Sequence, residues 1–153
     1  MSTENYSKSI MVNATTNEAY RALTRGYSQW WTSCEGAYGK LGDRITFKFP
    51  PQVSYWTFEA RQLVPDQYVE LECVEAHHII LDKPESSKTE WLGTTLRFKI
   101  EAIEDQVRVE LTHDGLTPQK DCYEVCEAGW DHFFLNSLQK YLNTGTGEPH
   151  KFS

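Results

Sequence analysis

The chain has 153 residues, a formal net charge of −7, and five Trp, eight Tyr and seven Phe side chains. One domain of that length buries roughly two-thirds of its unfolded surface. The charge argues against a nucleic-acid or anionic-membrane surface, because phosphate binding needs clustered Lys and Arg and the basic residues here are scattered.

The predicted elements run as follows in chain order. Tyr6 to Val12 reads as a first strand. Asn13-Ala14-Thr15-Thr16 offers a capping signal, and Glu18 to Thr24 reads as a short helix that Gly26 breaks. Gln29-Trp30-Trp31 sits on a second short helix or turn, and Gly36, Gly39 and Gly42 mark a loop. Arg44 to Phe49 alternates apolar Ile45, Phe47 and Phe49 with polar partners until Pro50-Pro51 ends the strand. Tyr55 to Leu63 follows with Trp56, Phe58 and Ala60 on one face, and Pro65-Asp66 makes a turn. Tyr68 to His77 places Val69, Leu71 and Cys73 opposite Glu70 and Glu72, and Asp82 to Lys88 is a loop.

The next hairpin has a defined register. With Glu104 and Asp105 at the tip between Trp91–Ala102 and Gln106–His113, Glu101 faces Arg108 and Lys99 faces Glu110 on one side. Ile100 then meets Val109 and Phe98 meets Leu111 on the other. Such cross-strand pairs contribute roughly 0.2–1 kcal/mol each, and a one-residue slip would expose the whole apolar face. The last element is a long amphipathic helix from Pro118 to Leu142, about 37 Å at 1.5 Å rise per residue. Its apolar stripe is Tyr123, Cys126, Trp130, Phe133, Phe134, Leu138, Tyr141 and Leu142, at steps of three and four. One-sided strands and one long apolar helix must cover each other. The expectation is an α+β helix-grip fold: about six antiparallel strands curved around a long C-terminal helix, with two short helices after strand 1, in one domain spanning 1–153.

Two groups of residues carry a family resemblance. Asn17-Glu18-Ala19-Tyr20-Arg21-Ala22-Leu23-Thr24 followed by Trp30-Trp31 resembles the start of an SRPBCC (START-like, helix-grip) domain. Leu111-Thr112-His113-Asp114-Gly115-Leu116, then Gly129-Trp130, then Leu138-Gln139-Lys140-Tyr141-Leu142, resembles the branch named after activators of the heat-shock-protein-90 ATPase. The resemblance implies an apolar cavity between sheet and helix that holds a lipid-like, polyketide-like or aromatic ligand. Some members of the superfamily are cyclases or hydrolases, many bind or carry ligands, and the eukaryotic activators add an N-terminal domain that engages the chaperone.

Strand parity nominates the cavity wall: Phe47, Trp56, Phe58, Leu71, Cys73, Phe98, Val109 and Leu111, together with Ile45, Phe49 and Ile100, with Trp31, Trp130 and Phe134 closing the space. The polar residues that continue the inward parity are Glu75, His77 and His113. They are candidates to orient a ligand, or to act as acid and base. Val74 and Ala76 on the opposite parity hint at a bulge. His77 and His78 point to opposite faces of a regular strand, so no metal site is expected. Cys34, Cys73, Cys122 and Cys126 lack zinc-ligand spacing and read as free thiols. No nucleophile elbow and no Gly-rich phosphate loop occurs, and no cofactor is expected. The N-terminus lacks a secretory signal, and no apolar run approaches the ~20 residues of a membrane span. The leading expectation is a cytoplasmic, non-enzymatic binder of a small hydrophobic or aromatic molecule, monomeric or homodimeric. The alternatives are a cochaperone-type interaction module and a cyclase- or hydrolase-like enzyme.

Overall fold

The structure, a computed structural model, describes residues 5–32, 34, 36–49, 54–77, 91–117 and 123–149. The side chains of Phe49, Ser54, His77, Glu124 and Val125 lie outside that description. The expected loop Asp82–Lys88, the helix start at Pro118, and His78 and Cys122 also lie outside it.

Six strands, β1 (Tyr6–Val12), β2 (Arg44–Phe49), β3 (Ser54–Val64), β4 (Tyr68–His77), β5 (Thr95–Ile103) and β6 (Gln106–Asp114), form one antiparallel sheet in the order β1-β6-β5-β4-β3-β2. Two short helices, α1 (Thr16–Ala22) and α2 (Tyr27–Trp30), follow β1. Helix α1 begins two residues earlier than expected because Thr15 and Glu18 close a capping box: Thr15 Oγ1 accepts from Glu18 N at 3.0 Å, and Glu18 Oε1 accepts from Thr15 N at 2.9 Å. Four predicted pairs of the hairpin are present: Glu101↔Arg108, Lys99↔Glu110, Ile100↔Val109 and Phe98↔Leu111. The hairpin closes through a two-residue turn with Glu104 at φ 55°.

The strand expected to start at Trp91 starts at Thr95. Trp91 to Thr94 is a turn, with Thr94 N donating to Trp91 O at 2.9 Å and Gly93 in the left-handed region. The turn sends the Trp91 ring inward, where it is 5% exposed.

The long helix is one rod in three parts: α3 (Tyr123–Trp130), a π-helical segment (Asp131–Leu138) and α4 (Gln139–Thr144), stopped by Gly145 in the left-handed region. The buried residues explain the change of pitch. Cys126, Trp130, Phe134 and Leu138 are buried at four-residue spacing. In a pure α-helix a four-residue step gains about 40°, so such a row would wind off the sheet. The wider π pitch, with its i→i+5 bonds, takes that surplus back and keeps the row facing the sheet. Gln139 Nε2 donating to Met11 O (3.1 Å) and Asn13 N donating to Asn143 Oδ1 (2.7 Å) tie the far end of the rod to β1 and the residue after it.

The sheet's apolar face and this rod bury one continuous core, and each fully buried Leu, Phe or Ile contributes about 1.5–3 kcal/mol. Among the described residues no helix is long and apolar enough to cross a membrane.

The left-handed Glu104 is a correctable strain. Replacing it with Gly removes the Cβ conflict, so Glu104→Gly is expected to raise unfolding free energy by up to about 1 kcal/mol. Urea denaturation with an unchanged m-value tests this, and a lower midpoint would contradict it.

Candidate functional site

The space between sheet and rod holds a layer of aromatic rings. Trp31 lies 4.4 Å from Phe47 and 4.9 Å from Trp130 by ring centroids. Trp130 stacks on Trp91 at 5.9 Å, and Trp91 stacks on Trp56 at 4.5 Å. Phe58 meets Phe47, Trp31 and Trp91 at 6.0–6.3 Å, and Phe98 meets Phe134 at 6.5 Å. These are the tilted, stacked and edge-on separations that aromatic pairs favour. All the rings are buried.

One polar chain runs through this layer. Trp130 Nε1 lies 3.1 Å from His113 Nδ1, His113 Nε2 lies 2.9 Å from Thr94 Oγ1, and Thr94 Oγ1 lies 2.6 Å from Trp91 O. The indole can only donate and the carbonyl can only accept, so every proton has one place. Trp130 gives to Nδ1, Nε2–H gives to Thr94, and Thr94 gives to Trp91. The neutral Nε2–H tautomer is therefore the form that fits, at a ring with 0% exposure. Gly115 makes the approach of Thr94 possible: its φ is 106°, and a Cβ there would fall 2.7 Å from Thr94 Cγ2. The Leu-Thr-His-Asp-Gly-Leu stretch thus combines an inward imidazole with the turn that lets its partner approach.

The predicted wall residues Trp31, Phe47, Trp56, Phe58, Leu71, Cys73, Phe98, Val109, Leu111, His113, Trp130 and Phe134 are all buried, as are Ile45 and Ile100. Glu75 is not. The β3–β4 register shifts between Thr57 and Phe58, whose partners are Glu75 and Cys73, so Val74 is the extra residue of a bulge. Beyond it parity flips: Ala76 pairs with inward Trp56, while Glu75 pairs with Thr57 and is exposed. Glu75 instead accepts weakly from Tyr55 Oη (3.4 Å) and Thr57 Oγ1 (3.5 Å). His77 ends β4 opposite Tyr55, and its side chain lies outside the described residues. Of the polar residues expected on the inward parity, His113 is buried and Glu75 is exposed.

Sequence reasoning places Trp91 at the start of a strand and misses its place in the aromatic layer, although a tryptophan beside a Leu-Gly turn is an available signal. It also misses the pair of buried Tyr6 and half-buried Asp131, joined at 2.8 Å across β1 and the π segment. Burial first and Asp131 second push the Tyr6 phenol well above its usual range. The Trp91 indole donates to Cys126 Sγ at 3.2 Å. Burial pushes the Cys73 thiol up to about 12 and the Cys34 thiol up to about 11. No cluster of His, Cys, Asp and Glu suited to a metal ion occurs among the described residues.

From residue 13 to residue 143 the sequence matches the family described as Activator of Hsp90 ATPase homolog 1-like protein. The chain belongs to that family. A solved structure similar to it is the Aha1 dimer from Colwellia psychrerythraea, 31% identical, with a TM-score of 0.75 over 94% of this chain and 98% of that one. Protein MLL2253 from Mesorhizobium loti is 16% identical with a TM-score of 0.66, covering 85% of this chain and 92% of that one. Protein SSP2350 from Staphylococcus saprophyticus is 14% identical with a TM-score of 0.65, covering 93% of each chain. These last two share the fold alone. No curated protein matches the sequence.

Two predictions follow, one from the layer's polar chain and one from the thiols and the phenol whose ionisation burial disfavours. Thr94→Val removes both the acceptor of His113 and the donor to Trp91, and should cost about 1–3 kcal/mol, against about 0.5 kcal/mol or less for Thr112→Val on the outer face. Equal effects in thermal denaturation would contradict the directed chain. The raised acids Cys34, Cys73 and Tyr68, the last pushed up to about 12 by burial and its bond to Glu70, ionise first in the unfolded chain. Stability should therefore be at its full level below about pH 8.5, the ordinary thiol value, and fall as pH rises through the raised native values. Urea midpoints that stay flat from about pH 9 to 12 would refute this.

Proposed function

We propose that the protein is a protein-interaction module of the Hsp90-ATPase-activator type, acting on a cytoplasmic partner through its surface, as a monomer or homodimer. The observation that carries this reading is the ring-to-ring packing at 4.4–6.5 Å, in which the side chains a ligand would need as walls are each other's neighbours. Both nitrogens of His113 are engaged within the layer, which favours a structural role for it over acid–base work. Family membership and the 31% identity to an Aha1 protein support the class of partner, and that relative was solved as a dimer.

A second reading is a carrier of a small hydrophobic or aromatic molecule. It is favoured by one observation: Trp56, Trp91 and Cys126 keep 5–6% of their surface exposed on one neighbouring set of side chains. A flat apolar molecule would stack there on Trp56.

With an Hsp90 from the same source, the protein is expected to raise the rate of ATP hydrolysis in a coupled assay. Unchanged turnover, with no association by sedimentation, would defeat the first reading. Trp56→Ala separates the two readings independently. A core tryptophan costs about 3–5 kcal/mol on truncation, whereas one lining open space costs far less. Native mass spectrometry of the purified protein should give the bare chain mass under the first reading, and a retained small molecule under the second.

A further inference from the structure

A groove of about 500 Å³ lies outside the sheet–helix core, between α1, the start of α2 and the end of α4. Its charged wall is Arg21 and Arg25, four residues apart and both exposed. Tyr141 and Leu142, half-buried near the end of α4, give it an apolar side, and Gln29 adds an exposed amide. Among the described residues neither arginine forms an ion pair, whereas Arg44, Arg61, Arg97 and Arg108 each pair with a carboxylate on the sheet's outer face. Glu18 also lines the groove, but its carboxylate is held by Thr15 N in the capping box. The groove therefore carries two guanidinium charges against one carboxylate, on a chain whose net charge is −7.

We propose that this groove docks an acidic segment of the partner protein, two carboxylates meeting Arg21 and Arg25 while an aromatic or large aliphatic side chain between them rests on Tyr141 and Leu142. The inference rests on the interaction-module reading and names the surface that performs it. Charge complementarity selects the occupant. The chain's overall charge repels acidic polymers, so an acidic segment is retained only where cations stand uncompensated. Guanidinium groups suit the task because their planar donor fork matches a carboxylate at two points. The volume falls in the range of about 300–1,000 Å³ of clefts that bury a drug-sized group, room for one large side chain with its neighbours.

The test uses the full chain and a fluorescein-labelled peptide, acetyl-Glu-Asp-Phe-Asp-Glu-amide, with acetyl-Gln-Asn-Phe-Asn-Gln-amide as the neutral control. The acidic peptide should bind in fluorescence polarisation and the neutral one should bind at least roughly tenfold more weakly. Arg21→Gln with Arg25→Gln should weaken acidic-peptide binding by a similar factor at an unchanged melting temperature. Arg21→Lys with Arg25→Lys should recover part of it, keeping the charge without the fork. Raising salt from about 50 mM to about 200 mM should weaken it further by shortening the screening length. Equal binding of the two peptides, an unaffected double glutamine variant, or no binding of the acidic peptide would overturn the proposal. The ATPase assay keeps the two ideas apart. No stimulation by the wild-type chain, with no association by sedimentation, defeats the interaction reading, whereas stimulation that survives Arg21→Gln with Arg25→Gln defeats the groove alone.

Discussion

Trp130 meets the sheet through a nitrogen as well as a ring, and the rest of the interior depends on that double attachment. Its indole lies tilted against Trp31 and stacked on Trp91, while its N–H enters the chain through His113 and Thr94 to the Trp91 carbonyl. Stacking alone lets a helix slide along an apolar face, because dispersion is nearly indifferent to register. A buried donor is not indifferent, since losing its acceptor leaves the group desolvated and unmatched. The hydrogen-bond chain therefore sets where the rod sits on β6, and the rings fill what that position leaves. The same logic holds at the rod's other contacts. Asp131 accepts from Tyr6 at the start of the π segment, and Ser137 Oγ lies 2.6 Å from Trp30 O near its end.

These polar fixings act alongside the buried row that the π turns keep on the sheet. Asp131, Phe134, Ser137 and Leu138 must all address the sheet or α2 within two turns. An α-helix already keeps those four positions within about 120° of one another, so what the π turns serve is the row Cys126, Trp130, Phe134 and Leu138, which would otherwise drift about 40° at each four-residue step. Nothing in the helical periodicity announces this. The apolar stripe is legible as a helix, and the buried row at 126, 130, 134 and 138 becomes a clue only once the sheet it must follow is known.

Legibility elsewhere divides along the same line between local pattern and non-local demand. The β5–β6 register could be read because charge pairs and apolar pairs agreed on one alignment over four pairs. His113 could be placed inside because β6 runs without irregularity from Val107 to its end. Glu75 could not, because the single extra residue at Val74 reverses every side chain beyond it. The hint was present in apolar Val74 and Ala76, but the alternation within β4 does not fix the step at which the extra residue enters. Trp91 was lost for a related reason: alternation extended a strand backwards through a turn that Gly93 and Thr94 impose.

The distribution of charge completes the physical picture. On the sheet's outer face Arg44, Glu59, Arg61 and Glu72 form a ladder of paired charges, and Glu70, Arg97 and Asp114 form another. Exposed pairs of this kind add little stability, about 0–1 kcal/mol each, but they neutralise one another and leave the face without a strong field. The edge of the sheet is guarded in a similar manner. Lys8 shares the inward parity of Tyr6 and Ile10 yet remains exposed, and an inward-pointing lysine on an edge strand discourages a foreign strand from pairing there. Against that neutralised face, the corner where α1 meets α4 carries two arginines without an ion pair among the described residues. A surface discriminates best where its charges are not already answered from within.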